Sequence, residues 1–367
     1  MKHSKIKVFL VATLLSISTS AFAQDSTKAA PITYSGFVDF YYSKNLGSPL
    51  SLTNKLRNFD IQDNQFTMSL AELVIQKAAS PVGFRLDLDY GETNDIVHGL
   101  SPYGTTPYKT STIAQQAYLT AVLPIGSGLT LDAGKFVTHM GYEVIESKDN
   151  ANYTRSLLFA WAIPYYHTGI RLTYPVASNF TATLHIVNGW NTVIDNNSKK
   201  SIGLTLNYAA SSSTGLIFNY MTGFEQPQGA NGGKKNVFDF ILTENISDNL
   251  SLALNADYGE ERVLVGSPLA MWKGAALYVK YALSEKSALA LRAEGFYDPL
   301  GYATGLGLNK ETIKEATLTY EHKVFDAFIV RVEGRGDFAN ASIFEDNGGL
   351  ITKDSQLTAL IGLIATF

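Results

Sequence analysis

The sequence predicts an all-β protein, a closed transmembrane antiparallel β-barrel of about sixteen strands, with short periplasmic turns and long extracellular loops. Three observations lead there. Apolar residues recur with period two along many segments, which marks strands rather than helices. In the nine clearest segments one phase carries no charge and the other carries ten charged residues. Short and long connections alternate along the whole chain. Composition agrees. Charged residues are 17%, below the usual level of about 25%. Tyr and Phe number 20 each, and no run of eighteen apolar residues offers a membrane helix.

The first 23 residues read as a secretory leader. Lys2, Lys5 and Lys7 precede an apolar run from Val8 to Leu15, and Ala21-Phe22-Ala23 has the small-x-small pattern of a cleavage site. The expected organisation is therefore a signal peptide over 1–23, a short periplasmic segment over 24–31, and the barrel over 32–367. Without the leader's three lysines, 26 basic residues face 33 acidic ones, a net −7, which argues against a nucleic-acid partner. There is no cysteine, so neither a lipid-modified cysteine nor a disulfide framework is available.

In chain order, the first strand sets Ile32, Tyr34, Val38, Phe40 and Tyr42 against Asp39. The stretch from Phe66 to Lys77 follows, but changes phase near Glu72, as a bulge would make it do. Next, Val82, Phe84, Leu86, Leu88 and Tyr90 oppose Arg85, Asp87 and Asp89. Leu129 to Val137 alternates too, though Lys135 falls in its apolar phase. Tyr166–Tyr174, with Arg171 in the polar phase, Phe180–Ile186 and Ile202–Tyr208 come next. Then Leu250, Leu252, Leu254, Ala256 and Tyr258 oppose Asp257; Leu289, Leu291 and Ala293 oppose Arg292 and Glu294; Phe328, Val330 and Val332 oppose Arg331 and Glu333. The last strand puts Leu357, Ala359, Ile361, Leu363, Ala365 and Phe367 on one wholly apolar face.

The short links are 78–81, 124–128, 174–179, 209–213, 246–249, 283–287 and 321–326. The long, polar ones are 43–63, 91–111, 138–163, 191–199, 225–235, 259–270, 298–311 and 338–354. Eight long and seven short links join sixteen strands and place both termini on the periplasmic side. A sixteen-strand barrel encloses an aqueous lumen, so an uncharged apolar phase must face outward, into lipid. A soluble two-sheet sandwich explains the alternation, but not the loop rhythm or the apolar final strand. Closure pairs that strand with the first and leaves no unpaired edge in hydrocarbon. Phe367 then lies at the periplasmic interface, where the barrel-assembly machinery is the expected partner alongside outer-membrane lipid.

One region carries a family resemblance. Gly134-Lys135-Phe136-Val137-Thr138, Gly141-Tyr142-Glu143, Tyr153-Thr154-Arg155-Ser156-Leu157-Leu158-Phe159 and Pro164-Tyr165-Tyr166-His167-Thr168-Gly169 follow one another, and Asn64 to Gly91 matches a second and third strand. These segments resemble the putative β-barrel porin-2 (OmpL-like) family, common in Bacteroidetes. The resemblance implies a porin of the bacterial outer membrane that passes ions and small hydrophilic solutes by passive diffusion. It leaves the substrate open.

Such a channel needs a bore, hydrogen-bonding groups and charge rings rather than a reaction centre. The pore-lining candidates are Asp39, Arg85, Asp87, Arg171, Arg292, Glu294, Arg331 and Glu333; the alternative is that Arg292/Glu294 and Arg331/Glu333 only neutralise one another on the wall. The 138–163 link is the expected constriction. It carries Glu143, Glu146, Lys148, Asp149 and Arg155 beside the apolar Ser156–Trp161, which can anchor it inward. Enzymatic readings are weak. His98, His139, His167, His185 and His322 lie in separate segments, and neither a His-Glu-x-x-His nor a Gly-x-Ser-x-Gly motif is present. His167 and His185 fall in lumen phases of neighbouring strands and read as polar wall residues. Glu345–Gly349 reads as a turn rather than a calcium loop. No cofactor is expected. The alternatives to a general diffusion channel are a channel specific for a sugar or oligopeptide, or a closed-barrel enzyme or adhesin. A homo-trimer is a common state for sixteen-strand channels.

Overall fold

The computed structural model describes residues 30–99, 113–307 and 311–367. The leader over 1–23, most of the 24–31 segment and much of the 91–111 link lie outside them. Sixteen long strands form one closed antiparallel sheet. They are β1 (Ile32–Asn45), β2 (Gln65–Lys77), β3 (Val82–Tyr90), β4 (Ala114–Leu123), β5 (Leu129–Val137), β6 (Tyr166–Ala177), β7 (Phe180–Val187), β8 (Ser201–Ala209), β9 (Thr214–Gly223), β10 (Lys235–Asn245), β11 (Leu250–Glu261), β12 (Ala270–Ala282), β13 (Ser287–Asp298), β14 (Glu311–Phe325), β15 (Phe328–Ala339) and β18 (Ser355–Thr366). A small hairpin, β16 (Phe344–Glu345) and β17 (Ile351–Lys353), sits in the last long connection, and a short helix, α1 (Glu92–Val97), follows β3. Among the described residues no helix is long and apolar enough to cross a membrane.

Each strand hydrogen-bonds to its sequence neighbour, and β18 closes the ring on β1 with Asp39 opposite Ile364 and Phe37 opposite Thr366. The Phe367 amide donates to the Gly36 carbonyl at 3.0 Å. This continuous ladder rules out the sandwich. The uncharged phase points outward: Tyr34, Val38, Leu291, Val332, Leu357 and Ile361 are all exposed on the outer wall. Strand length is uneven. β14 has 15 residues and β7 only 8.

Two departures from strict alternation have physical explanations. The phase change in β2 is a bulge: Asp39 pairs with Leu70, Phe40 pairs with Met68, and Ser69 is the extra residue. Phe66 and Met68 can then point outward while Glu72, opposite Phe37, points in. Lys135 is not repaired by a bulge. Its ammonium is drawn to His98 Nε2 at 2.5 Å and the Ala114 carbonyl at 2.7 Å, over the Tyr166 ring. A long side chain can carry its charge to polar partners in this way while its stem stays apolar. The links over 174–179 and 321–326 prove tighter than the sequence suggests. β6 runs to Ala177 and β14 to Phe325, which brings Glu321 into the wall.

The interior is not simply water. It also holds an apolar core, built from Leu157, Leu158, Phe159 and Ile163 of the 138–163 connection with Phe37, Phe136, Trp272 and Phe296 of the wall. There the loop supplies apolar surface that wall and loop bury together.

Candidate functional site: a loop fastened across the lumen

The β5–β6 connection leaves the rim, enters the barrel and crosses to the far wall. Its own fold comes first. Asn150 pins a turn, with its side chain accepting from the Val144 amide at 2.9 Å and donating to the Val144 and Glu146 carbonyls. Arg155 donates to the carbonyls of Val144, Tyr153 and Ile145. Glu143 accepts from the Ser156 amide at 2.6 Å. A 3₁₀ turn at Ser147–Asp149 and a π-turn at Leu158–Ala162 complete it. Lys148 pairs with its neighbour Asp149.

Wall side chains then hold this folded loop. Arg292 of β13 donates to Glu143 Oε1 at 2.7 Å and the Thr154 carbonyl at 2.6 Å, while Glu315 of β14 pairs with it at 3.0 Å. Glu294 accepts from the Leu157 amide at 2.6 Å. Arg331 of β15 donates to the Ser147 and Asn150 carbonyls at 2.6 and 2.8 Å, and Glu333 accepts from the Tyr153 and Thr154 amides. From β1, Asp39 takes the Tyr153 hydroxyl at 2.8 Å and the Ser147 hydroxyl at 2.5 Å. These are charge-assisted bonds in a dry setting, the strong class.

All eight sequence-picked lumen residues face inward, but they divide into two groups. Asp39, Asp87, Arg292, Glu294, Arg331 and Glu333 are buried, because the loop or neighbouring side chains cover them. Only Arg85 and Arg171 keep side chains that are 34% and 21% exposed. Arg85 bonds Asp87, and Arg171 bonds Asp132 at 2.7 Å with its guanidinium against the Tyr118 and Phe136 rings. A recess of about 440 Å³ at the short-turn end is lined by Thr33, Gln76, Arg85, Tyr118 and Thr120, among others. Arg292 lies 4.0 Å from Glu294 but bonds Glu143 and Glu315 at shorter range, and Arg331 pairs with Glu321 rather than Glu333.

Sequence reading missed several members. Arg335 of β15 donates to the Arg155 carbonyl at 2.6 Å and pairs with Asp337. Asp239 of β10 takes the Gly141 amide, Asn255 of β11 takes the Tyr142 amide, and Trp272 of β12 donates Nε1 to the Ala162 carbonyl at 3.1 Å. Arg335 lies four residues beyond Arg331 in the same phase, so extending the period would have found it. Three histidines gather on the lumen wall: His139 stacks on His185 at 4.0 Å between ring centres and lies 5.5 Å from His167. Among the described residues no three His, Cys, Asp or Glu form a ready metal-coordination set. The Glu345–Gly349 segment is a plain turn, capped by Asp346, which accepts from the Gly348 and Leu350 amides and the Thr352 hydroxyl.

A closed sixteen-strand barrel, apolar outside and crossed inside by a loop its lumen charges hold, defines a channel protein of the bacterial outer membrane. The chain belongs to the family described as putative beta-barrel porin-2, OmpL-like, whose sequence model spans residues 31–367. Comparison with curated protein sequences finds no match. Solved structures share the fold at low identity. The outer membrane channel DcaP of Acinetobacter baumannii is 10% identical, covering 92% of this chain and 98% of its own, with a TM-score of 0.63. The anion-selective porin from Comamonas acidovorans is 10% identical over 92% of this chain and 100% of its own, also at 0.63. In vitro folded OmpT of Vibrio cholerae, in its trimer form, is 12% identical over 93% and 100%, at 0.61.

Proposed function

We propose that this porin passes ions and small hydrophilic solutes by passive diffusion, and that the 138–163 loop sets the bore. One observation carries the reading. Lumen charges from β1, β13 and β15 converge on the loop, fixing its position across the interior. A constriction built from a fastened loop sieves by size, and the partly exposed Arg85 and Arg171 each pair with an aspartate, so these pairs add no net charge to the wetted wall. The role is transport rather than catalysis. The test is single-channel conductance of the refolded protein in a planar bilayer. Discrete, reproducible steps are expected. A folded barrel giving no steps at any voltage overturns the reading.

A second reading, a channel specific for a sugar, draws on one cluster. Trp190 and Tyr302 both pack on the buried Trp272, at 6.5 and 5.7 Å between ring centres, with Lys235 Nζ 4.3 Å over Trp190. Aromatic faces beside a polar group suit sugar rings. Saturable current block by one oligosaccharide series would favour it. A homotrimer, with lipid-facing strands buried between copies, and delivery by the barrel-assembly machinery through Phe367 belong to the same proposal. Crosslinking in native membranes tests the first, and membrane yield of Phe367→Ser the second.

A further inference from the structure

The outward phase of the barrel is not apolar everywhere. Lys273 of β12 and Lys314 of β14 lie in it, and both are exposed. Each is the fourth residue of its strand, and each strand is entered from a long link, 259–270 or 298–311. Both lysines therefore stand on the lipid face at the extracellular end. A cation there costs only about 0–1 kcal/mol, against about 2–4 at mid-membrane.

The two lysines flank one stretch of β13. Lys273 is opposite Tyr297, and Lys314 is opposite Gly295, two residues along the same face. On its other side Lys273 is opposite Tyr258 of β11. A recess of about 400 Å³ lies here, lined by Tyr258, Lys273, Gly295, Tyr297 and Thr312, among others. Its exposed surface is mostly apolar. Gly295 leaves it open, with no atom within 4 Å of where a side chain would begin. Lys273 Nζ stands 5.7 Å from the Tyr297 ring centre. Among the described residues neither ammonium has an acidic or hydrogen-bonding partner. The outward acid nearest by register, Glu260, is taken up by the Tyr258 hydroxyl at 2.9 Å and the Asn236 amide at 3.3 Å.

We propose that this face binds one phosphorylated, acylated glycolipid of the outer leaflet, with a phosphate between Lys273 and Lys314 and an acyl chain along the Gly295 recess. Charge complementarity selects the headgroup: two unanswered ammonium groups on flexible stems suit one phosphate. The height on the wall selects the leaflet. The Tyr297 and Thr312 hydroxyls beside the recess suit the hydroxyls of a sugar. Basic pockets on membrane proteins hold anionic lipid headgroups by the same attraction. The site is on the outer wall and independent of the lumen, so its failure leaves the diffusion reading untouched.

The test is native mass spectrometry of the full chain in detergent, titrated with diphosphorylated lipid A, the same lipid without its phosphates, or phosphatidylglycerol. One retained copy of diphosphorylated lipid A is expected, with weaker retention of the other two. Lys273→Gln and Lys314→Gln should each weaken retention about fivefold, and the double variant about twentyfold. Glu260→Gln should bind no more weakly than wild type. The comparison of lipids on the wild-type chain needs no variant. No retention of diphosphorylated lipid A, equal retention of either control lipid, or undiminished retention by a folded double variant overturns the proposal. Crosslinks in native membranes that place a second copy of the chain over Lys273 and Lys314 overturn it too.

Discussion

Arg331→Met separates the loop from the wall with little change in volume. The guanidinium makes two well-placed bonds to loop carbonyls, to Ser147 at 2.6 Å and Asn150 at 2.8 Å. A hydrogen bond to a charged group contributes about 1.5–3 kcal/mol, so the pair holds the loop by roughly 3–6 kcal/mol. The freed carbonyls regain water once the loop moves, which places the net loss near the low end, about 3 kcal/mol. At about 1.4 kcal/mol per factor of ten, the ratio of fastened to released loop falls roughly a hundredfold. The barrel itself should survive. Glu321, the other partner of Arg331, keeps Lys280 at 3.7 Å, and closure rests on the backbone ladder. Single-channel current and limited proteolysis across 147–152 read the outcome. Larger or noisier steps and new cleavage are expected. A folded Arg331→Met barrel with wild-type conductance and unchanged protection would refute the claim that this arginine holds the constriction.

Deleting Lys148–Asn152 should raise conductance outright, since it removes the segment Arg331 holds; unchanged steps from a folded variant would count against a constriction there. Tyr153→Phe strips Asp39 of a 2.8 Å donor and leaves it the Ser147 hydroxyl; a loss of about 1–3 kcal/mol in urea-unfolding free energy is expected. Ile361→Lys puts a charge on the lipid face near the middle of β18 and should cost about 2–4 kcal/mol for insertion, measured by reversible folding into vesicles. His98, beside α1, is held down to about 4 by burial and by the Lys135 ammonium. Its folded-state pKa lies below the unfolded value of about 6.5. The stability it contributes is therefore complete above pH 6.5 and is lost as pH falls toward 4, because the unfolded chain takes up the proton first. His98→Gln should flatten that part of the stability–pH curve.

The wall was readable because one physical constraint writes it. Lipid outside and polar groups inside impose period two on most strands, and Val82–Tyr90 shows it without exception. Glu72 was readable only as an anomaly, since a bulge is a backbone event that side-chain type does not name. The loop's apolar Ser156–Trp161 stretch pointed inward from sequence. Its partners were harder, because Asp39, Asp239 and Arg292 reach it over more than ninety residues of chain. Nor does the alternation tell water from protein. Asp39 and Arg171 share the inward phase, yet one is covered and the other half-wet.

The uneven strand lengths have a consequence for the surrounding bilayer. At about 3.3 Å per residue and a tilt near 40°, the eight residues of β7 reach roughly 20 Å along the membrane normal, and the fifteen of β14 roughly 38 Å. The apolar belt of such proteins is about 25 Å tall. On the β14 side the strand reaches past the apolar belt into the headgroup region, while β7 falls short of the belt's full height. Lipids there must shorten or tilt to keep the polar rim wet, at fractions of a kcal/mol per ångström. The molecule therefore carries a thin flank, and membrane thickness becomes a variable that acts on one side of it.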